Sequence, residues 1–188
     1  LHLPKTARIL AELGHLVTSF EGARDLFKLG SGRVARAKQT LVLDGFVTLH
    51  FEVLEVESEL YRQLALWETD LGRRHAMQKR RIDLIKPPAL QLNEKAYAQL
   101  VRQSLFDVST IASDMLEIKC QMHAGDPPAR KAKKLAASVE LCVEACTEFL
   151  KRFDEPNGPP DRVEVEQERA YVQCHFHRAR AWGKADTD

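Results

Sequence analysis

From Gly45 to Lys86 apolar residues recur every three or four positions: Phe46, Leu49, Val53, Val56, Leu60, Leu64, Trp67 and Leu71. That spacing keeps side chains on one helical face. A second row, Val47, Phe51, Leu54, Tyr61 and Ala65, lies on the adjoining face. Together the rows cover more than half the circumference as far as Trp67, which predicts a segment packed between neighbours. Beyond Leu71 the stripe narrows to Met77, Ile82 and Ile85. The stretch contains no proline, and Gly72 is its one interior glycine, so the pattern predicts a single helix about 60 Å long, with room for a kink at Gly72. Pro87 and Pro88 are expected to end it.

The rest of the chain repeats the same period between short breaks. LPKTARILAEL, 3 to 13, predicts a short helix. Thr18 and Glu21 have the spacing of a capping box for a helix from about Phe20 to Leu43. GSG at 30 to 32 predicts a break or a close helix crossing. Asn93 caps a helix of about 94 to 123 with Tyr97, Leu100, Val101, Leu105, Val108, Ala112, Met115 and Ile118 on its buried face. Its polar face includes Gln99, Arg102, Gln103, Ser109 and Asp114, with Phe106 the apolar exception. Gly125, Pro127 and Pro128 form a turn before a helix from Ala129 to Asp154, whose core stripe holds Leu135, Val139, Cys142, Cys146, Phe149 and Phe153. EPNGPP then breaks the chain, and Asp161 is expected to cap a last helix to about Lys184. Helices joined by short connections pack antiparallel, so the fold class is all-α, one helical bundle or solenoid over 1–188 with long antiparallel helices.

Three of these runs, LDGFVTLHFEV, WETDLGRRHAMQKRRIDLIKP and LNEKAYAQLVRQSLFDV, closely resemble the C-terminal part of the kinesin-binding protein family. The likeness continues through FEGARDLFKLG near the start and FHRARAWGK near the end. It implies an all-helical, tetratricopeptide-like superhelix. It also implies a protein that holds kinesin motor domains so that their microtubule-binding surface is unavailable, acting in the cytoplasm in association with the cytoskeleton. The family's N-terminal portion is absent, and the first residue is Leu, so the chain is expected to be part of a longer protein.

Charge sharpens this expectation. Asp44 to Asp70 holds seven carboxylates against Arg62 alone, whereas Leu71 to Lys86 holds six Arg or Lys against Asp83. The polarity suits a helix macrodipole, and a solvated acidic face is the plain explanation. A basic partner is the other, because Glu55 and Glu59 form an unfavourable like-charge pair. A motor surface that meets acidic tubulin is basic, which makes the acidic row its complement. The candidate partner-binding residues are therefore Thr48, Glu52, Glu55 and Glu59, then Lys86 and Gln91 in the loop before Asn93. A structural subunit of a cytoskeletal or axonemal complex, without inhibitory activity, is the alternative. A clamp for chaperone tails would need paired basic and asparagine side chains in a groove, and no such set is visible.

Chemistry is otherwise sparse. The net charge of +1 argues against a broad nucleic-acid or anionic-membrane surface, and no apolar run approaches the ~20 residues of a membrane span. No nucleophile sits beside a base, and GSGRVA lacks the ending of a phosphate loop, so neither enzyme activity, a small-molecule substrate nor a cofactor is expected. Cys142 and Cys146 with Cys174, His175 and His177 could form a metal site across two helices. Paired zinc ligands usually sit on a turn, however, and these two cysteines continue a core stripe, so no metal is expected. QKRR at 78 to 81 reads as an ordinary basic helix segment, while Arg130, Lys131, Lys133 and Lys134 carry the wrong sign for a helix N-terminus.

Overall fold

The computed structural model describes residues 17–154 and 158–185. The helix predicted over 3 to 13 lies outside them. Among the described residues six α-helices follow one another: α1 Phe20–Thr40, α2 Val47–Trp67, α3 Leu71–Gln91, α4 Glu94–Met122, α5 Pro128–Leu150 and α6 Val165–Trp182. A 3₁₀ turn, Lys151–Phe153, closes α5. Each helix packs on the next, and α4 also meets α6, so the fold is all-α as the pattern predicts.

The predicted long helix is two helices. It breaks at Glu68 to Asp70, where the backbone is extended at both Glu68 and Asp70. The break carries its own caps. Asp70 accepts from the Arg73 amide at 2.7 Å, and the Asp70 amide donates to Glu68 Oε1 at 2.9 Å. Arg73 Nε lies 2.9 Å from the other oxygen of Glu68, which is only 5% exposed. A Thr-Asp step preceded by a buried acid therefore ends α2 without proline or glycine, and each of the two 21-residue helices is about 32 Å long. Gly72, expected at the change, sits inside the first turn of α3. The two prolines do not end α3, which runs on to Gln91. They cost the last turn its ladder hydrogen bonds, and burial of Ile85 and Ala89 beside partly buried Leu92 offsets that loss.

Other boundaries shift for similar local reasons. Ser19, not Thr18, caps α1 by accepting from the Gly22 amide. Glu164, not Asp161, precedes α6. Asn93 caps α4 as expected, accepting from the Lys95 amide. The turn before α2 uses Gly45 at φ 114°, a left-handed backbone that disfavours a Cβ. At GSG the helix is unbroken and the crossing is close: a Cβ on Gly30 would stand 2.9 Å from both methyls of Leu60 on α2.

The core centres on α4, not on the 45 to 86 stretch. Val101, Leu105, Val108, Ile111, Ala112 and Met115 are almost fully buried there. They meet Ile82 and Ile85 from α3, Leu135, Cys142, Cys146 and Phe149 from α5, and Cys174 and Ala181 from α6. Ser109, expected on the polar face, is fully buried, with its hydroxyl 3.0 Å from the Cys174 thiol. Phe106 is half-buried and packs on Phe149, and the aromatic contacts continue through Phe153 to Tyr171. In α2 the more buried row is the second one, with Phe51, Leu54 and Ala65 buried. Phe46, Leu49 and Val56, expected inside, stay exposed at 48%, 43% and 53%. Neighbours therefore cover α2 on one side only, which leaves its other face open.

Candidate functional site

The open face of α2 looks across a groove of about 740 Å³ toward α4. Glu52, Glu55, Val56, Glu59 and Leu60 form the α2 wall. Gln103 and Asp107 form the opposite wall, and Arg81 and Ile85 of α3 lie between them. Helical spacing explains the acidic wall. Glu52, Glu55 and Glu59 recur at three and four residues, while Phe51, Leu54 and Ser58 turn inward. A second groove of about 420 Å³ adjoins the first through Gln103 and is lined by Thr48, Tyr97, Gln99 and Gln167 of α6.

Electrostatics divides the carboxylates. Glu59 accepts two parallel bonds from Arg62, from Nε and Nη2, each at 2.6 Å. The hydrogen bond from Arg62 holds the Glu59 carboxyl below its usual range against some desolvation, with Gln63 adding a further bond. The like-charge strain between Glu55 and Glu59 is thus relieved within α2 itself. Glu52 and Glu55 are exposed and have no ion-pair partner among the described residues. Asp107 is different again. Burial pushes its carboxyl up to about 6, opposed by a 3.1 Å hydrogen bond from Gln103, with Glu55 raising it and Arg81 lowering it. Arg81 is held in place by donating to Ser58 Oγ at 2.9 Å and to Gln78 Oε1 at 2.7 Å. Burial lowers its affinity for its proton, and the nearby Asp114 carboxylate restores part of it.

The six sequence candidates are not all brought together. Glu52, Glu55 and Glu59 share the larger groove, and Thr48 lines the adjoining one. Lys86 and Gln91 belong to α3, not to a loop. Lys86 turns away to bond Glu144 of α5 at 2.7 Å, and Gln91 is exposed at the far end of α3; neither lines the groove. Sequence reasoning missed Arg81 and Asp107. Gln103 and Asp107 stand at i,i+4 on the polar face of α4, a visible signal, but which helix that face opposes depends on the break at 68 to 70.

The groove holds four carboxylates against two guanidiniums, Arg62 and Arg81, without a nucleophile beside a base, so its surplus of acid suits binding of a cationic surface. Among the described residues no group of three His, Cys, Asp or Glu side chains could hold a metal ion. Cys142, Cys146 and Cys174 are buried free thiols of the core. His175 instead packs against Tyr171 at the surface. No helix among the described residues is long and apolar enough to cross a membrane.

Residues 6–188 match the family model described as KIF-1 binding protein C terminal. The chain is 34% identical over 171 residues to a KIF-binding protein of Homo sapiens, covering 89% of this chain and 28% of that protein. Against a KIF-binding protein of Gallus gallus the identity is 31% over 171 residues, 89% of this chain and 29% of the relative. A KIF-binding protein of Dictyostelium discoideum is 30% identical over 96 residues, 51% of this chain and 16% of the relative. The chain thus spans less than a third of the length of the first two relatives. No solved structure matches.

Proposed function

Since this chain belongs to the KIF-1 binding protein C-terminal family, we propose that it is the C-terminal helical unit of a kinesin-binding protein, part of a longer tetratricopeptide-like superhelix. The groove between α2 and α4 is its docking surface for a kinesin motor domain. The observation that carries this reading is the pair of exposed, unneutralised carboxylates, Glu52 and Glu55, facing a third carboxylate at Asp107 across an open groove. A motor surface that engages acidic tubulin is basic, and it finds its complement there. A motor held by that surface cannot present it to a microtubule, so docking here restrains motor attachment and transport, in the cytoplasm alongside the cytoskeleton.

The residues divide the work. Glu52 and Glu55 steer and hold cations, and Val56 and Leu60 offer apolar contact between them. Glu59 is already neutralised, so it contributes mainly by fixing Arg62. Thr48 extends the contact into the adjoining groove. Lys86 is committed to Glu144, and Gln91, exposed at the end of α3, meets only a partner that reaches round that end.

Capture of purified kinesin motor domains on the immobilised chain tests this. The parent chain is expected to retain a motor at low salt and to lose it as salt screens exposed charges. Glu52→Lys with Glu55→Lys is expected to weaken capture by roughly tenfold or more while circular dichroism stays unchanged. Undiminished capture by the folded double variant overturns the assignment of the groove.

A further inference from the structure

The cations that the motor-docking reading leaves unused gather at one end of the molecule. Antiparallel packing brings the N-termini of α3 and α5 to the same end as the C-termini of α4 and α6. Glu68 and Asp70 at the start of α3 are taken up by Arg73 and by the α3 cap, and the other carboxylates at that end are few. Asp126 alone answers Lys134 at 2.9 Å, Arg130 at 3.8 Å and His123 at 3.0 Å. Glu117 alone answers Arg180 and, at 4.0 Å, Lys184. Arg74, Lys119, Lys131 and Lys133 have no carboxylate partner among the described residues. The crowding is felt by His75, whose proton affinity falls through burial and then through the neighbouring charges of Lys119 and Lys79.

Helix electrostatics does not account for this excess. Cations complement a helix C-terminus, which suits Lys119, Arg180 and Lys184. Arg73 in the first turn of α3 is answered by Glu68 at 2.9 Å, but the same rule disfavours Arg74 beside it, and Arg130 and Lys131 in the first turn of α5. Those three stand where the macrodipole already places positive potential. The chain as a whole is near neutral because the acids collect elsewhere, among them Glu140, Glu144 and Glu148 toward the far end of α5 and Glu164, Glu166 and Glu168 at the start of α6.

We propose that this basic end, from Arg74 on α3 past Lys119 on α4 to Lys131 and Lys133 on α5, is a second interaction surface that takes an acidic polypeptide segment. The spacing sets its length. Neighbouring helices lie about 10 Å apart, so α3 to α5 spans roughly 20 Å, which an extended segment of about six residues covers. A peptide suits the surface better than a nucleic acid. Its carboxylates can be spaced to meet clusters that Asp126 and Glu117 interrupt, whereas the phosphates of a nucleic acid recur at a fixed interval.

The test is fluorescence anisotropy of the whole 188-residue chain with a labelled glutamate-rich peptide of about 12 residues, long enough to overrun the patch. Lys131→Glu with Lys133→Glu and Arg74→Glu is the test variant, and Arg33→Glu with Arg36→Glu, both exposed on α1, is the control. Expected are binding by the parent that fades as salt rises, a loss of roughly tenfold or more in the triple variant, and little change in the control. Circular dichroism and melting establish that each variant is folded; if the triple variant is not, Lys133→Glu alone is used, with a smaller loss expected. No binding of the peptide at low salt overturns the proposal, as does an equal loss in the control. Single-stranded RNA and anionic phosphatidylserine vesicles run beside the peptide. Binding of either in preference to the peptide also overturns it.

Discussion

Asp107 gives the sharpest quantitative expectation. Its carboxyl is raised from 3.8 to about 6, chiefly because the helices around the groove strip water from it. In the unfolded chain it reverts to the ordinary carboxylate range. Below pH 3.8 both states are protonated, and Asp107 costs the fold nothing. Between 3.8 and about 6 the unfolded state ionises first, so stability falls as pH rises. Above about 6 both states are ionised and the full penalty persists. A shift of this size corresponds to at most about 3 kcal/mol at neutral pH. Asp107→Asn keeps the shape and removes the charge, so at pH 7.5 it should stabilise the chain by about 1–3 kcal/mol, with almost no gain at pH 4. Urea unfolding of parent and variant between pH 4 and 7.5 reads both numbers. A variant no more stable than the parent at pH 7.5, or a difference that does not vary with pH, refutes a desolvated carboxylate. The same variant should bind motor domains less well, which would make Asp107 a group that trades stability for charge in the groove.

Other expectations follow from the packing. Phe149→Ala opens a cavity beside Phe106 and Phe153 and should cost about 3–5 kcal/mol by chemical unfolding. Asp70→Ala removes the cap of α3 and should lower stability by roughly 1 kcal/mol, with faster amide hydrogen exchange at Gly72 to Arg74. Gly30→Leu drives a side chain into Leu60 and should destabilise by about 1–3 kcal/mol in thermal melts, whereas Gly32→Ala, which meets nothing within 4 Å, should be neutral or stabilising.

Helix identity was legible because the 3.6-residue period runs through nearly every segment, and the α4 and α5 stripes predicted much of the core. What escaped were features fixed by side chains acting at a distance. The break between α2 and α3 depends on Glu68 being buried and on Asp70 turning back to the Arg73 amide, which no periodicity displays. The persistence of α3 past two prolines depends on tertiary burial of Ala89. The groove itself was half visible: the spacing of Glu52, Glu55 and Glu59 marks one wall, but its facing wall requires knowing that the chain doubles back at Glu68. Arg62, four residues before the exposed Leu66, could be read as a neighbour of Glu59 from spacing alone, yet its bidentate capture of that carboxylate is a matter of rotamers.

The proposed seating of a kinesin motor domain in the α2–α4 groove is tested most directly by a carboxyl-activating, zero-length cross-linker. Treatment of a captured complex should join motor lysines to Glu52 and Glu55, located by mass spectrometry of the digested product. Cross-links confined to carboxylates elsewhere on the chain, in a complex that forms and survives washing, would contradict it.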